Sequence, residues 1–275
     1  MLGSSEDMDK WLDSTEYPPD WSSPPTAPMQ SHSDPTITAG VRETPVGKSP
    51  HEDVLKSREV TSSQGIGVGV TESSFIELKD DGKGVFKTID YQNERAAYLV
   101  DRFLDFGLTP PTVIRSHEGK TGSVQEFVAD APTRSELGMR EDKFVEKYKS
   151  QLMEMWIFDV IIGNTDRHSG NFLIKDDRLY AIDHGRGFNG FFRYREFGKD
   201  PWDYWGTGRD SYVSFFDEPL ESDIIEKLQK FNESPGMRRM LEEALTEIVG
   251  EEAAQVCNAR IDVVMKHATT SGKIP

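Results

Sequence analysis

The spacing of apolar residues changes period several times along this chain, and each change marks a new element. SSFIELKD and KGVFKTI alternate apolar and polar positions on either side of Asp80–Asp81–Gly82, which predicts two β-strands joined by a tight turn. YQNERAAYLVDRFLDFG then places Tyr91, Ala97, Tyr98, Val100 and Leu104 near helical spacing, with Gly107 as the stop. LTPPTVIRS and GSVQEFV predict two further strands around a turn at 117–119. Beyond Pro132 the pattern is mostly helical. Phe144, Tyr148, Leu152, Met155 and Phe158 share one face of a long helix. NFLIKDDRLYAIDHG predicts a hairpin turning at Asp176–Asp177, and three helices follow over 222–231, 235–248 and 251–267. Ser222 is placed as an N-cap and Gly250 as the residue beyond a helix end.

The first sixty residues break this regularity. Pro18, Pro19, Pro24, Pro25, Pro28, Pro35, Pro45 and Pro50 interrupt any helix or strand, and Ser, Thr and acidic residues fill the gaps. The expected organisation is a disordered arm over 1–60, a small mostly β lobe with one helix over 61–130, a larger helical lobe over 131–268 and a tail over 269–275. Trp11 and Trp21 in the arm suit docking on a partner or on the domain, and its Ser and Thr residues suit modification; a poorly ordered tail is the simpler reading.

Composition narrows the partners. A formal net charge of −16 opposes binding to nucleic acid and stable residence on an anionic membrane. No apolar run approaches the ~18 residues of a membrane span, and the N-terminus lacks the pattern of a secretory signal, so a cytoplasmic protein is expected. The single cysteine, Cys257, forms no internal disulfide and suits a small buried apolar position.

Candidate chemistry concentrates in NTDRHSGNFLI and AIDHG. Asp166 and Asn171 fall on one short loop, and the hairpin returns Asp183. A phosphoryl-transfer site needs one group to orient an attacking hydroxyl and hard oxygen ligands for magnesium, and these three side chains have the right types and order. Asn, Asp and Gly are also ordinary turn residues, and a solvated turn is the competing reading.

With its DRH triplet, following asparagine and IDHG, the chain resembles the phosphatidylinositol 3-/4-kinase catalytic-domain superfamily. It is most similar to the small prokaryotic and viral kinase-like members related to type II phosphatidylinositol 4-kinases and to bacterial persistence-toxin kinases. GKGVFK, NERAAYLVDRFLDFGLTPPTV and SVQEFV extend the resemblance over roughly 65–188. It implies an α+β bilobal kinase fold and ATP with magnesium (or manganese) as cofactors. It places Lys87 on the α/β-phosphates and Glu94 as the partner that holds Lys87, with Arg95 and Glu77 as weaker alternatives. Asp166 would orient the acceptor hydroxyl, Asn171 and Asp183 would ligate the metal, and Arg167 would order the loop through carboxylates. His168 would either meet the transferred phosphate or brace the loop. His184 stands where many kinases carry phenylalanine. Backbone groups of Glu126, Phe127 and Val128 would meet the adenine edge, with Val85 and Ile182 on its faces. Two segments compete for the phosphate-covering loop: Gly65, Gly67 and Gly69, or Thr71, Ser73 and Ser74.

Residues 186–216, with Arg186, Arg193, Arg195, Lys199 and Arg209, are the expected seat of substrate choice, whether those arginines receive an acidic substrate or pair with nearby carboxylates. Three readings of activity remain open at this point. One is a monomeric protein serine/threonine kinase, one is a phosphoinositide kinase, and one is a nucleotide-binding adaptor or AMP transferase.

Overall fold

β-Branched and aromatic residues at alternate positions build the small lobe around one curved sheet. The computed structural model describes residues 49–66, 73–188, 215 and 218–272. Trp11, Trp21, Gly67, Val68, Gly69, Thr71, Arg193, Arg195, Lys199 and Arg209 lie outside those residues. The elements are α1 (Pro50–Ser57), β1 (Val60–Gly65), β2 (Ser73–Leu78), β3 (Gly82–Lys87), α2 (Tyr91–Leu104), β4 (Thr112–His117) and β5 (Lys120–Glu126). They are followed by α3 (Arg134–Leu137), α4 (Glu141–Ile162), β6 (Phe172–Lys175), β7 (Arg178–Ala181), α5 (Ser222–Asn232), α6 (Pro235–Val249) and α7 (Glu251–Thr270).

The small lobe is an antiparallel sheet in the order β1-β2-β3-β5-β4. Its two faces separate by strand period. Ile76, Leu78, Phe86 and Val124 fill a core on one face. Cross-strand register places Phe75, Val85 and Gln125 together on the other, with Ser73, Lys87 and Ser123 beside them. The expected boundary at residue 60 lies too late. Pro50 starts α1 rather than breaking it, because a proline at the first helical position loses no needed N–H. The Ser49 side chain accepts a hydrogen bond from the His51 amide at 3.3 Å, and Leu55 is buried in the small core. β1 is an additional edge strand; its VTSSQG sequence lies almost wholly exposed, so it has no apolar signature.

α2 departs from the amphipathic reading. It packs on the sheet and against helices of the large lobe, so Glu94, Arg95 and Asp101 are buried as well as the apolar positions, while Tyr91 is only half-buried. Ala96, Ala97, Leu99, Val100, Phe103 and Leu104 belong to the large-lobe core, together with α4, the β6–β7 hairpin and α5 to α7. Asp101 ends the helix by accepting hydrogen bonds from the Leu108 and Thr109 amides at 2.9 and 3.1 Å and from the Thr109 hydroxyl at 2.7 Å.

In the large lobe, Phe144, Tyr148, Leu152, Met155 and Phe158 are buried along α4, which is kinked at Tyr148. The β6–β7 turn has Asp176 and Asp177 both at positive φ, the geometry of a two-residue hairpin turn. Gln151 of α4 holds this hairpin, donating to the Asp177 carbonyl at 3.0 Å and accepting from the Leu179 amide at 2.7 Å. Ser222 is the first residue of α5 rather than its cap, and Glu221 occupies the cap position without a side-chain bond. Cys257 is fully buried, and burial pushes its thiol up to about 12. Among the described residues no helix is long and apolar enough to cross a membrane.

Gly122 is where the sheet has least room. A Cβ there would lie 2.4 Å from the Lys87 carbonyl and 2.6 Å from the Phe86 ring. Gly122→Ala is expected to destabilise the protein by about 1–3 kcal/mol through overpacking. A denaturant midpoint equal to that of the parent protein would remove this constraint on β3.

Candidate active site

Three separate elements converge on one ammonium. Lys87 ends β3, and its Nζ donates to Glu94 Oε1 of α2 at 2.7 Å and to Asp183 Oδ1 at 3.0 Å. The Glu94 side chain is 3% exposed, Lys87 is 15% and Asp183 is 49%, so the pairing runs from the protein interior to the cleft surface. Glu94 Oε2 also accepts from the His184 amide at 3.2 Å and lies 3.2 Å from His184 Nδ1. His184 is fully buried and packs edge-on against Phe158. His184 thus ties Glu94 directly to the segment that carries Asp183.

Burial pushes the Glu94 carboxyl up, but the Lys87 ammonium and the His184 hydrogen bond outweigh it and hold the group well below the usual carboxylate range. Burial alone would lower Lys87; Glu94 and then Asp183 reverse that and raise it. Asp183 itself has positive φ, a conformation that aspartate tolerates better than most residues. Asn93 supplies another tie between α2 and this segment, donating from Nδ2 to the Gly185 carbonyl at 2.8 Å.

The loop before β6 is held by a buried ion pair. Arg167 donates from Nε and Nη2 to both Asp159 oxygens at 3.0 and 2.9 Å. Its Nη1 donates to the carbonyls of Asn171 and Ile182. One guanidinium therefore fixes the end of α4, the loop and the strand leading to Asp183. Asp159 also accepts from Asn164 Nδ2 at 2.9 Å, and Asn164 Oδ1 accepts from the Asp166 amide at 3.2 Å. The Asp166 carboxylate is left exposed, while its carbonyl accepts from Asn171 Nδ2 at 2.7 Å. The Ile182 amide donates to the Asn171 carbonyl at 3.1 Å, so hairpin register places Asn171 beside the residue preceding Asp183.

Asn171 uses its amide nitrogen within the loop, which leaves Oδ1 as a neutral oxygen donor. Asn171 Oδ1 and the half-exposed Asp183 carboxylate are the hard oxygen donors here that could hold a divalent metal. His168 is exposed, and its Nδ1 accepts from the Gly170 amide at 3.1 Å, the geometry of a loop brace.

The remaining expected residues divide. Ser73 lies directly across from Lys87 and Val85 across from Phe75, on the same sheet face. Ser74 pairs with the core residue Phe86, so its side chain is on the other face from Lys87. In the strand-to-lobe connection, the Glu126 amide donates to the Pro111 carbonyl at 2.8 Å and the Phe127 amide to the Lys83 carbonyl at 3.1 Å. Those two amides are engaged within the protein, so any contact that Glu126 or Phe127 makes with a base falls to its carbonyl. Phe127 is exposed and stacks edge-on against Phe75 at 5.0 Å, and Ile182 is half-buried. Arg186 is exposed next to Asp90, and Arg95 and Glu77 take no part in the Lys87 pairing. Sequence reasoning missed Asp159 and Glu52, polar residues embedded in helices with no motif to mark them, and Asn93, which opens the NERAAYLV stretch with no role assigned to it.

A β-sheet lobe with a glutamate-bearing helix, a helical lobe and a lysine–glutamate–aspartate convergence define a kinase-like phosphotransferase. The sequence profile of the phosphatidylinositol 3- and 4-kinase family matches residues 83–247, more than half of the 275-residue chain, and the protein belongs to that family. Curated relatives include phosphatidylinositol 4-kinase gamma 3 of Arabidopsis thaliana, 31% identical over 34% of this chain and 16% of that protein. Phosphatidylinositol 4-kinase gamma 4 of Oryza sativa subsp. japonica is 29% identical over 50% of this chain and 27% of that protein. The chain thus matches about a quarter or less of their length. Among solved structures, hydra Fam20 with sugar superposes at TM-score 0.54 and 14% identity, covering 78% of this chain and 86% of that one. The Golgi casein kinase superposes at 0.51 and 18% identity, covering 82% and 78%. These two share the fold.

The ion pair has a defined pH window. Glu94, with its lowered value, contributes stability fully above the ordinary glutamate value of 4.5, and loses it as pH falls toward the folded value. Lys87, with its raised value, contributes below 10.5 and loses that contribution as pH rises through its folded value. Lys87→Met, which leaves a buried carboxylate unmatched, is expected to cost about 3–5 kcal/mol at pH 7. The gap should narrow as pH falls toward 4.5, because the stranded Glu94 then protonates readily. Urea denaturation across that range checks it; a gap that is constant with pH would show that the two groups are not coupled.

Proposed function

We propose that this protein is an ATP- and magnesium-dependent kinase that transfers the γ-phosphate to a serine or threonine hydroxyl of another protein. The observation that carries this reading is the Glu94–Lys87–Asp183 chain at 2.7 and 3.0 Å, which ties the sheet, α2 and the loop after β7 to one point. A lysine held between two carboxylates is kept protonated and aimed, ready to meet the α/β-phosphates. Asn171 Oδ1 and Asp183 would hold magnesium, which when bound neutralises triphosphate charge. Asp166, exposed but anchored through its amide and carbonyl, would accept the proton of the incoming hydroxyl. The hydroxyl oxygen bonds to the γ-phosphorus, the bond to the ADP oxygen breaks, and the proton passes from Asp166 to solvent. Val85 and Ile182 would flank the adenine ring, with Val128 as the hinge donor and Ser73 at the phosphate end. Arg167 and His168 position the loop.

A protein acceptor is favoured over a lipid by the net charge of −16 and by Cys257, whose buried thiol is unsuited to carrying a membrane-anchoring acyl chain. The names of the plant relatives favour a phosphoinositide acceptor instead. Incubation with γ-labelled ATP, a mixture of protein substrates and phosphatidylinositol vesicles separates the two. Label in protein alone supports the proposal and label in lipid alone replaces it with the second reading; in a parallel incubation with α-labelled ATP, label retained on protein would indicate AMP transfer instead.

Two substitutions test the residue roles. Asp166→Asn is expected to lower kcat by about 10²–10⁴-fold while nucleotide binding persists. Asp183→Asn should remove the magnesium-dependent part of the thermal shift produced by ATP. Undiminished turnover in the first variant, or an unchanged magnesium effect in the second, would overturn the corresponding assignment.

A further inference from the structure

α1 lies outside the sheet that carries Lys87, yet it is built into the small lobe at both ends. Leu55 is 2% exposed in the small core. Arg115 of β4 donates to the Leu55 and Arg58 carbonyls at 2.8 and 3.0 Å. Arg58 in turn donates to the Lys79 and Asp80 carbonyls of the β2–β3 turn. At the other end, His51 Nδ1 lies 2.6 Å from Glu126 Oε1, at the end of β5. The helix is therefore a strut fixed to three parts of the sheet.

From this strut Glu52 reaches α2. Its Oε2 accepts from Arg95 Nη1 at 3.0 Å, and its Oε1 accepts from the Tyr98 hydroxyl at 2.9 Å. Arg95 directly follows Glu94 in the chain, and Tyr98 is one turn further on. Arg95 Nη1 also donates to the Thr112 carbonyl of β4 at 2.5 Å, and its guanidinium lies 5.3 Å from the Tyr98 ring centre. The Glu52 side chain is 18% exposed and that of Arg95 is 10%, so water screens this pair only weakly.

The first turn of α2 needs outside support. Asp90 occupies its cap position in the left-handed conformation and makes no capping bond with its side chain. The position of the turn is then set by ties on two sides: Asn93 and Glu94 toward the cleft, and Arg95 and Tyr98 toward α1.

We propose that Glu52 is a positioning residue for phosphoryl transfer: by fixing Arg95 and Tyr98 it holds the first turn of α2 where Glu94 can aim Lys87. This rests on the kinase reading above. Glu52 touches neither the nucleotide nor the acceptor, and it acts through the Lys87–Glu94 pair.

The test is a double-mutant cycle in the full chain with Glu52→Gln, Glu94→Gln and both together. Glu52→Gln should lower kcat about tenfold, equivalent to ~1.4 kcal/mol, with a smaller change in KM for ATP. Glu94→Gln should lower it further, and the double variant should match Glu94→Gln alone, since Glu52 then has nothing left to position. Hydrogen exchange of amides 91–98 should accelerate in Glu52→Gln, with exchange in α4 unchanged. Equal kcat in Glu52→Gln and the parent protein, or fully additive losses in the double variant, would overturn the proposal. If the parent protein transfers no phosphate, the kinase reading fails on its own. The exchange experiment then still decides whether Glu52 holds α2, and unaltered exchange over 91–98 refutes that.

Discussion

A carboxylate sealed inside the protein needs partners, and here the partners are what join the two lobes. Glu94 is nearly inaccessible, and an isolated charge at such a depth would cost several kcal/mol. Lys87 from the sheet meets one oxygen of that carboxylate and His184 from the loop after β7 meets the other. Satisfying the buried group and assembling the site are consequently one event. The same geometry explains why Lys87 stays protonated despite its own burial, because it is attracted to carboxylates on both sides.

A second buried charge organises the other half of the site by the same logic. The Arg167 and Asp159 side chains are both fully inaccessible, and the pair is bidentate. The remaining guanidinium donor is not idle; it takes two carbonyls that belong to different strands of the hairpin region. Lysine has no comparable fork, so it could not hold α4, the Asp166 loop and the approach to Asp183 together. The two clusters meet in the short stretch from Ile182 to His184, whose backbone one clamps and the other completes.

Most of this framework was legible in the sequence where local pattern and burial agree. The β2–β3 and β4–β5 pairs, α4 and the β6–β7 hairpin follow their apolar spacing, and the Lys87–Glu94 pairing is the one the family resemblance implied. The misses have physical causes. α1 begins on a proline, which reads as a breaker unless its place in the first turn is known. β1 is an exposed edge strand with nothing apolar to mark it. Asp159 and Glu52 are ordinary helix residues by sequence; their importance comes from the arginines that fold back on them.

The shared burial of α2 limits how this enzyme can be silenced. Withdrawing the helix as a rigid body would expose Leu99, Phe103 and Leu104 together, at about 1.5–3 kcal/mol each, a large part of the ~5–15 kcal/mol that keeps a domain folded. A gate built on that motion would sit close to denaturation. A change confined to residues 91–95 would leave those three side chains buried in the large lobe.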